Sequence, residues 1–278
     1  MIGREKPRSG RPPPPGIIGK MGEATIVVRK DAEGVAGAAA ALWRRHADDA
    51  VAARGGFRTL LSGGSTPRRL FEILAAEPAG ALPWDRTHLF WGDERCVPPE
   101  HRDSNFHMTR EALLARVSPP AAQVHRLRGE EADGGAAARD YQAEVAAAFG
   151  VDSSGPPPAF DLVWLGLGAD AHTASLFPGT LALGESRRWF VANDVPQLGT
   201  RRLTATYPLL DAARAVVFLA AGGDKAAALG RVLAAAGTVA DAPARGVRPA
   251  GSLTWVLDRA AAAGIPADWP GRRIDDAD

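Results

Sequence analysis

Cysteine is almost absent: Cys96 is the one cysteine in the chain. No internal disulfide can form, which excludes a disulfide-stapled scaffold and allows a reducing compartment. Long apolar runs are missing too. The longest, such as Ala215 to Ala221, are far too short to span a bilayer. Charge of one sign is lacking, with 33 Lys and Arg against 32 Asp and Glu and a net charge of +1. Nothing global therefore points to nucleic acid or an anionic membrane, and an anionic substrate needs a local site. Residues 1–22 hold basic residues and the run Pro12 to Pro15 but no apolar stretch, so they do not read as a secretory signal. They read as a flexible Pro-rich tail, with Met21 as an alternative start.

What is present suits an ordinary globular chain of 278 residues, 46% hydrophobic and 23% charged. One plan recurs: a short apolar run, a Gly or Asp turn, then a helical pattern. Phe57 to Leu61 leads into Gly63-Gly64 and a helix from about Pro67. Thr87 to Trp91 leads into Gly92-Asp93-Glu94-Arg95, and a helix starts near Ser104. Phe160 to Leu165 leads into Gly166-Leu167-Gly168. Ala215 to Ala220 leads into Gly222-Gly223-Asp224, and Lys225 opens an alanine-rich helix. Strands alternating with helices predict a mainly parallel sheet covered on both faces. Ligands of such sheets collect at the carboxyl ends of the strands, so the four turns are expected around one pocket. Glu130 to Phe149 reads as a peripheral helix, followed by a turn-rich linker over Gly150 to Pro158.

Four motifs carry chemistry. In Leu61-Ser62-Gly63-Gly64-Ser65-Thr66-Pro67, two glycines let the backbone curl round a ligand. The hydroxyls of Ser62, Ser65 and Thr66 and a helix N-terminus supply donors, the chemistry of a phosphate cradle. A plain glycine turn with a capped helix explains the same residues equally well. In Gly92-Asp93-Glu94-Arg95, Arg95 suits binding an anion or polarising a carbonyl oxygen, and Asp93 suits pairing with it. A solvated strand end with an ion pair is the plainer alternative. Gly166-Leu167-Gly168-Ala169-Asp170-Ala171-His172 matches a dinucleotide fingerprint at its start, but Pro178-Gly179 stops the helix that fingerprint needs. The more telling feature is Asp170 two residues before His172. An imidazole can take a proton from water, and a nearby carboxylate stabilises the imidazolium formed. Arg202, in Arg201-Arg202-Leu203-Thr204-Ala205-Thr206-Tyr207-Pro208, and Lys225 are candidate phosphate ligands, although most such cations are simply surface residues. Leu203, Ala205 and Tyr207 alternate as in a half-buried strand. His46, His88, His101, His107 and His125 show no metal-ligand spacing, so no metal is expected.

Together, the segments LSGGSTP, WGDERCVP with DSN, GLGADAHTASLFPG, and RRLTATYP with GGDKAAAL resemble the 6-phosphogluconolactonase family over about Thr25 to Ala263. The resemblance implies an α/β fold: a three-layer αβα, Rossmann-like, mainly parallel sheet of the glucosamine-6-phosphate deaminase type. It implies a single domain over residues 23–270 with a C-terminal tail over 271–278. The implied activity is hydrolysis of 6-phosphoglucono-δ-lactone in the oxidative pentose phosphate pathway, by a cytoplasmic carboxylic ester hydrolase. No cofactor, metal, nucleic acid or membrane is expected to take part, and the expected partner is the small sugar-phosphate lactone, met by a monomer or weak dimer. His172 takes the proton-transfer position, tuned by Asp170. Arg95 takes the substrate end, and the Ser62-Gly63-Gly64 loop, Arg202 and Lys225 take phosphate positions.

Two departures stand out. Many relatives have Asp-Gly-His where this chain has Asp170-Ala171-His172, and a left-handed alanine costs about 1–2 kcal/mol. His107 also stands where another residue type is expected. The deaminases carry a glutamate after the motif histidine, a place taken here by Phe177, which cannot move protons. A non-catalytic sugar-phosphate regulator would bring a DNA-binding module, for which the first 22 residues are too short.

Overall fold

The computed structural model describes residues 24–276. The tail expected over residues 1–22 lies outside the described residues. In chain order the elements are β1 (Thr25–Arg29), α1 (Ala32–Arg54), β2 (Phe57–Leu61), α2 (Ser65–Ala75), β3 (Thr87–Trp91) and β4 (Asp93–Arg95). Then come α3 (Asn105–Thr109), β5 (Val124–His125), α4 (Gly134–Phe149), β6 (Leu162–Gly166), β7 (Phe190–Val195) and β8 (Thr200–Ala205). The chain closes with α5 (Tyr207–Asp211), β9 (Ala215–Ala220), α6 (Ala226–Leu233), β10 (Ser252–Asp258), α7 (Arg259–Ala262) and β11 (Arg272–Asp275).

Eight strands form one sheet in the order β11-β1-β10-β9-β6-β2-β3-β5, and every neighbouring pair in it is parallel. Connection direction sets the layers. From β1 the chain moves through β2 and β3 out to the β5 edge; from there it returns through β6, β9 and β10 to β11 at the other edge. Right-handed crossovers in opposite directions place α1, α2 and α3 on one face and α4, α6 and α7 on the other. Adjacent strands β2 and β6 therefore send their exits to opposite faces. A crevice opens between such exits, at the carboxyl ends of the strands. The fold expected from the sequence is thus found.

The first layer is built from alanine. On α1, Val35, Ala39, Trp43, Ala47 and Ala50 recur at helical spacing and are buried. Asp31 caps its start by accepting from Gly34 N, and Gly55, left-handed at φ 74°, ends it. The small alanines let the helix lie close, and Trp43 fills the remaining depth. Its ring stacks on Trp164 at 6.1 Å and meets Phe57 edge-on at 5.5 Å. Central β9 is buried at all six positions, as a strand covered on both faces requires.

A second, antiparallel sheet of three strands, β4-β8-β7, stands at the carboxyl end of β3. Gly92 is the joint: its N–H donates to Leu61 O at 2.8 Å, and its carbonyl accepts from Ala205 N at 2.7 Å. This small sheet carries Asp93, Arg95 and Arg202 to the mouth of the crevice.

Three boundaries differ from the expectations. The helix predicted from Glu130 starts at Gly134, where Asp133 accepts from Ala136 N and caps it. Tyr207 does not continue the strand of Leu203 and Ala205; with Pro208 beside it, it opens α5. Within the C-terminal tail expected over 271–278, Arg272–Asp275 form β11, which extends the sheet by pairing in parallel with β1. None of the described helices is long and apolar enough to cross a membrane.

A polar chain centred on the buried His125 lies at the β5 edge. His88 Nδ1 meets His125 Nε2 at 3.1 Å, and His125 Nδ1 meets Glu144 Oε1 at 3.0 Å. The His125 ring stacks on Phe90 at 4.2 Å. Burial, followed by the charges of His125 and Arg58, pushes the His88 imidazole down to about 4. The unfolded chain, with a histidine pKa of about 6.5, takes up this proton sooner than the folded one as pH falls. Stability should therefore decline between about pH 6.5 and pH 4. Urea unfolding at pH 7 and pH 5 checks this: His88→Phe should lose less stability than wild type, and equal losses would contradict the assignment.

Candidate active site

The four predicted turns do converge. One open cavity of about 240 Å³ is lined by Ser62 to Pro67, Asp93, Arg95, Asn105, Gly166 to Gly168, His172, Ala174, Leu219 to Ala221 and Lys225. A second lobe of about 380 Å³ adjoins it and shares Asp93, Arg95, His172 and Ala174. It adds Asp170, Phe177, Leu198 and Arg202. The shared residues form the wall between two compartments.

The cradle has the form the sequence suggested. Gly64 sits at φ 108° just before α2, and no side chain caps that helix. The first-turn N–H groups and positive dipole end of an eleven-residue helix thus face the cavity. Gly63 is required by close approach, because a Cβ there would collide with the Asn105 amide. Lys225 lines the same lobe. Its Nζ lies 2.9 Å from Asp224 Oδ2, a bond that holds the Asp224 carboxyl below its ordinary value.

Asp93 and Arg95 do not pair as the sequence suggested. The buried Asp93 carboxylate accepts from Ser175 Oγ at 2.7 Å and Asn105 Nδ2 at 3.2 Å. Ser175 and Asn105 thus hold an acidic wall residue, a role the sequence reading did not give them. Arg95 Nη1 instead donates to Asp103 O at 2.5 Å. Glu94 accepts from Arg95 N, Asn105 N, Phe106 N and Ser104 Oγ at 2.7–3.0 Å. Burial pushes its carboxyl up, more than these four donors pull it down. Glu94 is the N-terminal anchor of α3, not a free acid or base.

Arg202 faces Arg95 across the β4–β8 pair. Burial, then the neighbouring Arg95 charge, hold its guanidinium below the usual arginine value. The sequence grouped Arg202 with Lys225, but the structure puts them in different lobes: Lys225 with the cradle, Arg202 with His172. Strand direction explains the split, since Arg202 rides on the small sheet and Lys225 on a turn after β9.

His172 lines both lobes and is paired with Asp170. His172 Nδ1 lies 2.5 Å from Asp170 Oδ1, and His172 N donates to the same oxygen at 3.1 Å. Burial opposes ionisation of Asp170, but the His172 backbone N–H, charge and ring hydrogen bond outweigh it and leave its carboxyl below the ordinary value. An ionised carboxylate only accepts, so His172 Nδ1 carries the proton of this bond, and in the neutral imidazole Nε2 is the acceptor nitrogen. Phe177 stacks on the imidazole with ring centres 4.0 Å apart. The residue between, Ala171, is left-handed at φ 69°, so the loop keeps the backbone shape that glycine would favour.

The family model for glucosamine-6-phosphate isomerases/6-phosphogluconolactonase matches residues 30–255. A 6-phosphogluconolactonase of Synechocystis sp. is 46% identical over 212 residues, covering 76% of this chain and 86% of the relative. The chain belongs to the 6-phosphogluconolactonase family. Among solved members of that family, the 6-phosphogluconolactonase from Trypanosoma brucei superposes with a TM-score of 0.79 at 28% identity, covering 88% of this chain and 99% of that one. A monomeric glucosamine-6-phosphate deaminase shares the lactonase fold, with a TM-score of 0.71 at 18% identity over 87% of this chain and 99% of its own.

Proposed function

We propose that the protein hydrolyses 6-phosphoglucono-δ-lactone to 6-phosphogluconate, with His172 as general base. The observation that carries this reading is the Asp170–His172 pair at a cavity that is also lined by the uncapped N-terminus of α2 and by Lys225. The 6-phosphate occupies the cradle, and this remote anchor fixes the lactone carbonyl beside His172. His172 Nε2 takes a proton from water as the water oxygen bonds to C1. The carbonyl electrons move to oxygen, where Arg95, with Arg202 beside it, balances the charge. As the carbonyl re-forms, the C1–ring oxygen bond breaks and His172 returns the proton to that oxygen. The carboxylic acid product then ionises to water. Every step uses side chains of this chain, and no metal or cofactor is required. Phe177 stacks where a deaminase would need a carboxylate, which favours lactone opening over deamination.

Removing the phosphate tests the anchor. Lys225→Ala or Arg202→Ala should lower kcat/KM by at least about tenfold, roughly 1.4 kcal/mol. The cradle lobe predicts that Lys225→Ala acts mainly through KM. Arg202→Ala, next to His172, should cost more in kcat. Unphosphorylated gluconolactone should be a poor substrate for wild type. Comparable turnover of the two lactones would overturn the phosphate assignment.

A further inference from the structure

The backbone around Asp170 is held from outside the motif. Ala169 O accepts from Arg231 Nη2 at 2.9 Å, and Ala171 O accepts from Ala244 N at 3.0 Å. The carbonyls on either side of Asp170 are thus each tied to a donor more than sixty residues away in sequence. Arg231 lies on α6, the helix that follows directly on the Lys225 turn. Ala244 lies on a short turn, Pro243–Gly246, packed across the end of that helix. The same turn carries Arg245, whose buried Nη1 donates to Val232 O at 3.0 Å and Ala234 O at 2.6 Å. A guanidinium on the last carbonyls of a helix satisfies acceptors the helix cannot and complements its negative end. Tyr207 Oη fixes the turn from below by donating to Pro243 O at 2.7 Å.

Positive φ at Ala171 gives these bonds a purpose. An alanine does not rest in the left-handed region by itself, at a cost of about 1–2 kcal/mol. Its N–H donates to Gly168 O, closing the turn, and Ala244 fixes its carbonyl. Without outside donors, the preferred right-handed backbone would rotate the Ala171 peptide and pull His172 N away from Asp170.

We propose that Arg231 is a positioning residue for His172: through Ala169 O, and together with the Ala244 N–H on Ala171 O, it keeps the Asp170–His172 pair closed and ties it to the helix that begins at Lys225. Arg231 touches no reacting atom. The catalytic meaning of this tie rests on His172 being the base, so the test separates the two claims. Arg231→Ala, Arg231→Lys and His172→Ala are assayed on freshly generated 6-phosphoglucono-δ-lactone, and the His172 ring protons are followed by NMR through a pH titration. Arg231→Ala should lower kcat by roughly tenfold with KM within about twofold of wild type. Its His172 signal should titrate at a different pH or broaden. Arg231→Lys, still able to donate once to Ala169 O, should recover part of both. A lower melting temperature with wild-type kcat and an unchanged His172 titration is the result of a merely structural role and overturns the proposal. A fall in kcat with an unchanged titration overturns it too, because the loss then arises elsewhere. If His172→Ala keeps near-normal kcat, the base reading fails, and the titration alone decides whether Arg231 places the ring.

Discussion

Replacing His172 with alanine should reduce kcat by about 10²–10⁴-fold, the usual worth of a positioned general base. The pair at 2.5 Å leaves Nε2 outside that bond, and of the two buried carboxylates nearby Glu94 is engaged by four donors and Asp93 by two side chains. Binding of 6-phosphogluconate should change little, because Lys225 and the Ser62–Thr66 turn remain in the cavity lining. Asp170→Asn should cost less than His172→Ala, since it weakens the orientation of the base and leaves the base in place. His172 is 29% exposed, so its removal leaves a gap at the cavity wall and not in the core. The variant should fold, and kcat, product affinity and melting temperature measured on one preparation separate chemistry from stability. A folded, product-binding variant with near-normal kcat would move the search to Asp93.

Gly168→Ala should be nearly as damaging, although position 168 bears no functional group. A Cβ there would collide with His172 Nδ1 and Asp170 Oδ1, the two atoms of the pair. The backbone cannot yield easily, because Gly168 N donates to His172 O at 2.9 Å and Gly168 O accepts from Ala171 N at 2.9 Å. The methyl therefore has to open the Asp170–His172 bond. Displacement of a base by about 1 Å is worth roughly 10²-fold in rate. Crowding adds about 1–3 kcal/mol of destabilisation. Gly166→Ala is the matched control: it lines the same cavity, but its Cβ would meet only Ser62 Oγ at 3.9 Å. The two variants should differ by more than tenfold in kcat. Equal activity would show that the pair is not sterically tuned through Gly168.

Most of this site was legible in the sequence because its residues are clustered in short motifs. Each motif follows an apolar run that becomes a strand, and parallel topology brings strand ends together. Ser62, Gly63, Gly64, Asp93, Arg95, His172 and Lys225 could be expected around one cavity on that ground alone, and they line it. Strand ends say nothing of which wall a side chain takes, so Arg202 was grouped with Lys225 yet lies in the adjoining lobe. Charges also mislead when read by sign. Asp93 looked like a partner for Arg95 and is held instead by two neutral side chains, while its neighbour Glu94, given no role from the sequence, anchors α3. The alanine-rich α1 went unnoticed because alanine marks helix propensity without marking a face. Arg231, Ala244 and Arg245 carry no motif at all. Only folding brings Arg231 and Ala244 to the Asp170–His172 loop, and Arg245 to the end of α6.

The central claim is lactone hydrolysis directed by a phosphate, and it is tested most directly against the uncatalysed reaction. 6-Phosphoglucono-δ-lactone, generated fresh, opens slowly in water, and acid release in a pH-stat follows both the spontaneous and the enzymatic rates. The account predicts that purified protein accelerates acid release in proportion to its concentration and acts far less on gluconolactone lacking the phosphate. It also predicts that the acceleration disappears with His172→Ala. Acid release at the spontaneous rate, with wild type folded and at high concentration, would contradict the account.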